Sequence, residues 1–248
     1  MQTEEVRLLR LVGTRNLRDL GGYPTRDGRR TRWRTLYRSD CLDQLDGAGQ
    51  AFLIDAGLRT IVDVRDTSEV AARPNVFASA RSPRLSYRHL AMWDEPMPDD
   101  AEPDLSRGYV RELDLRGHRL AEIVAEVAAP EALAVLFHCA AGKDRTGIVA
   151  ALLLATVGVA PETIAEDYAL TAACLGPGYI DESRRMIAQR GLEWTRWAHM
   201  FETPPERMLK TLSYLEERYG GAERYLLENG LAVERLASMR EAFTEPAG

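Results

Sequence analysis

One short segment constrains this chain more than any other: the ten residues from His138 to Gly147, which read His-Cys-Ala-Ala-Gly-Lys-Asp-Arg-Thr-Gly. Residues 132–137 before it are apolar and predict a buried strand, and residues 148–156 after it predict a buried helix. The segment therefore joins the carboxyl end of a strand to the N-terminus of a helix. This is the place where an open α/β sheet binds anions.

The residue types in this loop suit a tetrahedral anion. A short loop can curl so that its backbone N–H groups point inward, and Gly142 permits a backbone conformation that other residues resist. Arg145 can close the ring with a planar fork of donors. Cys139 lies at the base of the same positive field, which favours the thiolate, the nucleophilic form of cysteine. A buried cysteine in an ordinary strand–helix turn is the alternative interpretation, and it leaves the joint occurrence of Cys139, Gly142 and Arg145 unexplained.

This loop resembles the active-site loop of the cysteine-dependent protein tyrosine phosphatases. Its Lys143-Asp144 pair resembles an atypical bacterial branch that accepts phosphotyrosine, sometimes phosphoserine or phosphothreonine, and phosphoinositides. Three other parts of the chain carry the same resemblance: residues 16–23 with 37–39, residues 57–65 followed by Glu69, and Asp167-Tyr168. The resemblance extends from about residue 12 to residue 240. It implies a phosphate monoester hydrolase, most simply a protein tyrosine phosphatase with dual specificity.

The expected reaction has two steps. The Cys139 thiolate attacks phosphorus to give a cysteinyl-phosphate, and water then releases phosphate. Arg145 and the amides of residues 140–145 hold the equatorial oxygens, so neither a metal nor another cofactor is needed. Thr146 is expected to donate a hydrogen bond to Cys139, and His138 to orient the loop through a backbone carbonyl. The residues expected to bind the substrate phosphate, or a phosphate or sulfate ion, are Ala140, Ala141, Gly142, Lys143 and Thr146.

Three aspartates compete for the role of proton donor to the leaving group. Asp144 lies in the loop itself, at a position that the resemblance implicates in catalysis. Asp63 ends a predicted strand on the same sheet edge, and Asp94 follows a strand, where dual-specificity phosphatases carry their acid. We favour them in that order. Each also has a structural alternative: Asp144 paired with an arginine, Asp63 bonded to Arg65, and Asp94 simply solvated.

Composition excludes several functional classes. The chain has 248 residues, 45% of them hydrophobic, and a net charge of −6. That balance argues against a nucleic-acid partner. No apolar run reaches membrane-spanning length and no N-terminal signal is visible, so we expect a cytoplasmic protein, although export without a recognisable signal occurs in relatives. The three cysteines are too widely spaced for a disulfide framework, but Cys41 or Cys174 could trap an oxidised Cys139. The four histidines show no metal-ligand spacing.

The order of elements predicts an α/β fold. Strands near residues 60–64, 84–92 and 132–137 alternate with helices near 42–56, 105–128 and 148–156, which implies a mainly parallel central sheet flanked by helices. We expect one phosphatase domain over residues 1–248, with its core at about 12–173 and extra C-terminal helices at 206–243. Residues 174–205 are either helical packing or a lid whose Trp194, Trp197 and Phe201 face the substrate.

Other functions fit the loop less well. A rhodanese-like sulfurtransferase or an arsenate reductase also uses a thiolate, but the Arg145-Thr146-Gly147 ending favours a phosphatase. A non-catalytic phosphate-binding module, or an interaction protein that retains the fold, would not need both Cys139 and Arg145. Among substrates, phosphotyrosine proteins are favoured, and phosphoinositides remain the alternative because Lys143 adds positive charge that suits a second phosphate.

Overall fold

The computed structural model describes residues 6–79, 85–93 and 104–247. Seven strands lie within these residues: β1 (Arg18–Asp19), β2 (Arg29–Thr31), β3 (Leu36–Ser39), β4 (Thr60–Asp63), β5 (Ser86–His89), β6 (Val135–His138) and β7 (Thr244–Pro246). The helices are α1 (Gly47–Asp55), α2 (Thr67–Ala72), α3 (Leu105–Val127), α4 (Asp144–Thr156), α5 (Pro161–Gln189), α6 (Trp194–Trp197), α7 (Pro205–Tyr219), α8 (Ala222–Glu228) and α9 (Val233–Phe243). Short 3₁₀ turns cover Pro130–Ala132 and Ala198–Phe201.

Five strands form the central sheet, in the order β1-β3-β6-β4-β5. Strand β6 is its middle strand and runs parallel to both neighbours, with His138 beside Ser39 on one side and beside Asp63 on the other. Strand β1 is antiparallel to β3 and lies at the edge. Because the carboxyl ends of β3, β4 and β6 meet at one edge, the loop after His138 starts between two other strand ends. The predicted mainly parallel α/β fold is confirmed.

The sheet is covered on both faces by apolar side chains. Along β6, Val135 and Phe137 join the larger hydrophobic cluster, whereas Leu136 joins the smaller one on the other face. This alternation is the period of a strand. The larger cluster extends from Leu20 to Phe243, so the C-terminal helices share it with the sheet. No helix in the described ranges is long and apolar enough to cross a bilayer.

Several element boundaries differ from those predicted by the sequence. Helix α1 begins at Gly47 rather than at residue 42, because Asp46 caps it by accepting a hydrogen bond from Gly49 N at 2.8 Å. Helix α4 begins at Asp144, four residues earlier than its apolar run. Helix α5 has a kink at Gly176, where φ is +68°, and then resumes and continues to Gln189.

Candidate active site

Gly142 gives the loop between β6 and α4 its shape. Its φ is +66°, in the left-handed region that favours glycine. A Cβ atom at this position would lie 2.4 Å from the carbonyl oxygen of Ser39. Glycine is therefore required both for the turn and for the close approach of the loop to the end of β3.

The carbonyl groups of residues 139–142 in the loop point outward, into the surrounding scaffold. Each accepts a hydrogen bond: Cys139 O from His138 Nδ1 (3.1 Å), Ala140 O from Cys41 N (3.0 Å), Ala141 O from Asn16 Nδ2 (2.9 Å) and Gly142 O from Arg38 Nη2 (2.8 Å). In a trans peptide the N–H points opposite to the C=O. The amides of residues 140–143 are therefore turned away from the scaffold and toward the centre of the loop, as an anion cradle requires.

Helix α4 adds its own N-terminus to this cradle. No side chain caps the helix, which starts directly after Lys143. The first N–H groups of a helix have no intrahelical partner, and together they carry partial positive charge. Cys139 opens the loop and is buried, with 3% of its surface exposed. The sulfur and the open amides thus belong to one small region at the carboxyl edge of the sheet.

Thr146 does not make the hydrogen bond that the sequence predicted. Its side chain is fully buried in the first turn of α4, and its hydroxyl has no hydrogen-bond partner among the residues that the structure describes. The expected bond from Thr146 to Cys139 is therefore absent. Because this buried hydroxyl makes no hydrogen bond within the described structure, it can donate one to a group bound in the loop.

Arg145 is held by Glu69, a partner whose role the sequence analysis missed. Both terminal nitrogens of the guanidinium contact the Glu69 carboxylate, one of them at 2.8 Å, and the Trp93 ring lies 4.8 Å from the guanidinium carbon. Burial alone would lower the pKa of Arg145, but the hydrogen bonds that it donates to the Glu69 carboxylate raise it. Glu69 is itself fixed by a capping box with Asp66 at the start of α2. In the sequence, the three-residue spacing of Asp66 and Glu69 was the pattern that could have indicated this capping box.

Asp144 is the first residue of α4, and 38% of its side chain is exposed. Its Oδ1 accepts a hydrogen bond of 2.5 Å from the Tyr109 hydroxyl and lies 3.4 Å from Lys143 Nζ. Tyr109 is 35 residues away in the sequence, and no local pattern indicated this contact. One carboxylate oxygen of Asp144 is therefore hydrogen-bonded, while part of the side chain remains exposed.

Lys143 is buried, whereas the sequence analysis expected its charge to be available to substrate phosphate groups. Only 1% of this residue is exposed, and its ammonium group donates to the carbonyl oxygen of Met200. Burial lowers the pKa of Lys143. The ammonium therefore lies beneath the 198–201 turn and does not present an open charge for a second phosphate.

Asp63 does not fit the role of proton donor that we considered for it. It is fully buried and forms an ion pair with Arg65 at 2.6 Å, and Tyr87 donates to the same oxygen at 2.9 Å. Burial would raise the pKa of Asp63, but the interactions with His138 and Arg65 lower it to about 2. Such a carboxyl holds no proton near neutral pH. The third candidate, Asp94, lies outside the described residues.

His138 supports the loop, and both of its ring nitrogens have partners other than the Cys139 sulfur. Since Nδ1 donates to Cys139 O, Nε2 must accept from Asn75 Nδ2, which lies 2.8 Å away. The orientation of Asn75 is fixed because its oxygen accepts from Phe77 N at 2.9 Å. Burial lowers the pKa of His138, which agrees with this neutral tautomer. The histidine therefore acts through a backbone carbonyl.

Two of the sequence motifs, residues 16–23 with 37–39 and Asp167-Tyr168, meet behind the loop. Asp167 accepts from Arg18 Nε at 2.9 Å, from Arg38 Nη1 at 2.6 Å and from the Tyr23 hydroxyl at 2.9 Å. Burial would raise the pKa of Asp167, but the two arginines hold it well below its usual range. Arg38 also donates to Gly142 O, so this cluster (Arg18, Arg38 and Asp167, hereafter the supporting cluster) fixes the loop from behind. The sequence motifs indicated these residues but not their contacts.

Aromatic side chains of residues 174–205 form a cluster that includes Tyr179, which is close enough to the loop to interact with Asp144 and Cys139. Phe201 stacks on Trp194 with ring centroids 5.3 Å apart and meets Tyr179 edge-on at 6.0 Å. Burial and the nearby charges of Asp144 and Cys139 raise the pKa of Tyr179. These rings therefore form an aromatic wall beside the residues at the centre of the site.

The other two cysteines are free thiols, as is Cys139. Cys41 is buried, and its sulfur accepts from Arg65 Nη1 at 2.9 Å. Burial raises the pKa of Cys41 to about 12. Cys174 is half-buried in α5, and burial raises its pKa as well. Within the described ranges no group of three or more His, Cys, Asp or Glu side chains is placed to hold a metal ion.

The family of this chain follows from comparison with known proteins. A model described as "Tyrosine phosphatase family" matches residues 9–245. The chain is 28% identical over 218 residues to a tyrosine-protein phosphatase of Nostoc commune, covering 82% of this chain and 72% of that protein. It is 31% identical over 196 residues to the triple specificity protein phosphatase PtpB of Mycobacterium tuberculosis, covering 64% of this chain and 67% of that protein. Because the family match takes in the loop, the supporting cluster and the C-terminal helices, this chain belongs to the tyrosine phosphatase family and is a hydrolase.

Proposed function

We propose that this protein hydrolyses phosphate monoesters through a covalent intermediate on Cys139. The thiolate attacks phosphorus in line with the leaving oxygen, and the cysteinyl-phosphate is then hydrolysed by water. The observation that supports this proposal is the hydrogen bonding of the loop carbonyls to the scaffold, which turns the amides of residues 140–143 toward the centre of the loop that Cys139 opens. Fixed donors aimed at developing negative charge are the main source of catalysis in such sites.

Arg145 completes the cradle in this proposal. A guanidinium has five N–H donors, and Glu69 occupies only part of that set. The carboxylate of Glu69 therefore holds the group in one orientation while donors remain for phosphate oxygens. Thr146 supplies an additional hydroxyl, since its buried oxygen has no partner within the described structure.

Asp144 is the proton donor that the geometry supports best. Its carboxyl is partly exposed at the mouth of the loop, whereas Asp63 is closed inside an ion pair. A leaving phenoxide or alkoxide needs a proton as the P–O bond breaks, and a donor must be within reach of that oxygen. A neighbour of Cys139 on the first turn of α4 meets this requirement.

Phosphotyrosine in proteins is the proposed substrate class. The wall of Tyr179, Trp194 and Phe201 beside the loop suits an aromatic leaving group. We propose that residues 174–205 act as a lid over it. A phosphoinositide is the second candidate, because displacing the Met200 carbonyl would free the Lys143 ammonium for another phosphate. A thiolate nucleophile also needs a reducing compartment, so we propose the cytoplasm as its place of action.

The test is a substrate panel on the wild-type protein and on Cys139→Ser. Phosphotyrosine, phosphoserine and phosphothreonine peptides are compared with mono- and bis-phosphorylated phosphoinositides, and thiosulfate with cyanide as the sulfur acceptor is included as a sulfurtransferase control. The wild type should release phosphate fastest from phosphotyrosine, and rapid acid quenching should trap a phosphoenzyme that Cys139→Ser does not form. A Cys139→Ser variant with undiminished turnover, or thiocyanate formation in place of phosphate release, would refute the proposal.

A further inference from the structure

A chain of hydrogen bonds runs from α7 to Asp144 through two buried tyrosines. Arg207 Nη1 lies 3.2 Å from the Tyr168 hydroxyl, which lies 2.9 Å from the Tyr109 hydroxyl, which in turn donates to Asp144 Oδ1 at 2.5 Å. The two rings meet edge-on, with their centroids 6.1 Å apart. We refer to the side chains of Arg207, Tyr168 and Tyr109 as the hydroxyl chain.

The direction of the hydroxyl chain follows from the donors available. Each tyrosine has one hydroxyl proton, and an arginine can only donate. Because Tyr109 gives its proton to Asp144, the proton between the two hydroxyls must come from Tyr168. Tyr168 in turn accepts from Arg207. All three bonds therefore point toward the carboxyl group, an arrangement in which successive hydrogen bonds polarise one another.

This arrangement has a specific consequence for proton transfer. The bond from Tyr109 engages Oδ1 and leaves Oδ2 to carry the proton. As the S–P bond forms and the P–O bond breaks with its electron pair on the leaving oxygen, the proton moves from Oδ2 to that oxygen, and Asp144 becomes a carboxylate. The Tyr109 bond then becomes charge-assisted and stronger. An interaction that strengthens toward the transition state accelerates the reaction.

We propose that Tyr109 is a positioning residue for the proton donor Asp144, and that Tyr168 and Arg207 orient Tyr109. The inference rests on the proposed function, in which Asp144 protonates the leaving group. The far end of the hydroxyl chain also contacts the 198–203 segment, since Arg207 donates to the carbonyl oxygens of His199 (3.0 Å) and Glu202. The hydroxyl chain thus links the proton donor Asp144 to the 198–203 segment, in which the Met200 carbonyl accepts a hydrogen bond from Lys143.

A purely structural role would have a different signature. Buried tyrosine hydroxyls generally find an acceptor, whatever their function. Tyr225 of α8 provides a matched control. It is fully buried, and its hydroxyl donates at 2.7 Å to the carbonyl oxygen of Leu113, which lies on α3 as Tyr109 does. Removing the Tyr225 hydroxyl deletes a comparable buried hydrogen bond without touching Asp144.

The experiment compares two aryl phosphates that differ in leaving group. Phenyl phosphate has a poor leaving group and depends on protonation, whereas para-nitrophenyl phosphate has a good one and depends on it less. In Tyr109→Phe we expect kcat/KM for phenyl phosphate to fall about tenfold, the value of one hydrogen bond to a charged group. The ratio of kcat/KM for the nitrophenyl ester to that for the phenyl ester should rise. Tyr168→Phe should raise this ratio by less, and Tyr225→Phe should leave it unchanged.

The outcomes separate this inference from the function on which it rests. Wild type that releases no phosphate from either ester would refute the proposed function. Wild-type activity with a raised ratio in Asp144→Asn but an unchanged ratio in a folded Tyr109→Phe would overturn the positioning role alone. An equal change in Tyr225→Phe would also overturn it, because the effect would then come from general loss of packing. Thermal unfolding of each variant shows which of them are folded.

Discussion

The two sides of the phosphate loop use charged residues in opposite ways. Behind the loop, the supporting cluster and the Asp63–Arg65 pair are buried, with each carboxylate paired and hydrogen-bonded. In front of it, the side chains of Asp144 and Glu69 are 38% and 25% exposed, and Arg145 has donors beyond those that Glu69 occupies. Buried and fully paired charged groups stabilise one backbone conformation, whereas partly exposed charged groups can exchange their partners for a substrate. The comparison therefore distinguishes the ionisable residues that are closed within the fold from those to which we assign a role in the proposed reaction.

The largest effect should come from Asp167→Asn, which acts on stability. Removing one partner of a buried ion pair leaves the other charges uncompensated and costs about 3–5 kcal/mol. We expect the free energy of unfolding in urea to fall by that amount. The matched control is Glu182→Gln, which breaks the surface pair with Arg15 (2.6 Å) and should cost less than about 1 kcal/mol. Equal losses in the two variants would contradict the distinction between buried and open charges.

Arg145→Lys should affect activity and leave stability nearly unchanged. A lysine keeps the charge and can still pair with Glu69, but it lacks the planar fork of donors. We expect kcat/KM for phosphotyrosine to fall by about 10²–10³, the usual effect of losing a donor to developing charge. Steady-state kinetics and urea unfolding on the same preparation check this. A drop in stability as large as that of Asp167→Asn would place Arg145 with the structural residues.

The pH dependence of stability should reflect the rear of the site. The pKa of Asp63 is lowered to about 2, below the value near 4 of an unfolded chain. Its contribution to stability is therefore complete above about pH 4 and is lost as the pH falls toward 2. Urea unfolding from pH 5 to pH 2.5 should show this decline, and the slope should be smaller in Asp63→Asn. An identical slope in the variant would mean that Asp63 is not paired in the folded protein.

Glu69→Gln should have the smallest effect of the four. The glutamine can still accept one hydrogen bond from Arg145, so the guanidinium loses orientation but not charge. We expect kcat/KM to fall by about tenfold, as for one charge-assisted hydrogen bond, with unfolding changed by no more than about 1 kcal/mol. Comparison with Arg145→Lys sharpens the assignment, because a larger activity loss in Glu69→Gln would indicate a direct role for the carboxylate.

Much of the site could be predicted because it is local in sequence. The strand, loop and helix over residues 132–156 are adjacent, so their chemistry follows from residue types and periodicity alone. The role of Asp63 was harder to predict. It depends on burial and on contacts with Arg65 and Tyr87, which only the three-dimensional structure shows. Asp94 stays a prediction. The partners Glu69 and Tyr109 come from distant elements, and only the first had a local signal, in its capping box.

The sequence by itself determined the glycine turn and the mainly parallel α/β sheet, and it singled out the proposed nucleophile Cys139 and its partner Arg145, because each depends on local geometry and on apolar periodicity. Only the tertiary structure decided which charges face the substrate. Arg38, Lys143 and Arg145 all carry a positive charge, and the sequence alone does not distinguish their roles. In the structure Arg38 is paired within the supporting cluster, and Lys143 is covered by the Met200 carbonyl. Arg145 keeps N–H donors that Glu69 does not occupy. The physical reason is that burial and partner count, rather than residue type, determine whether a charge supports the fold or the reaction.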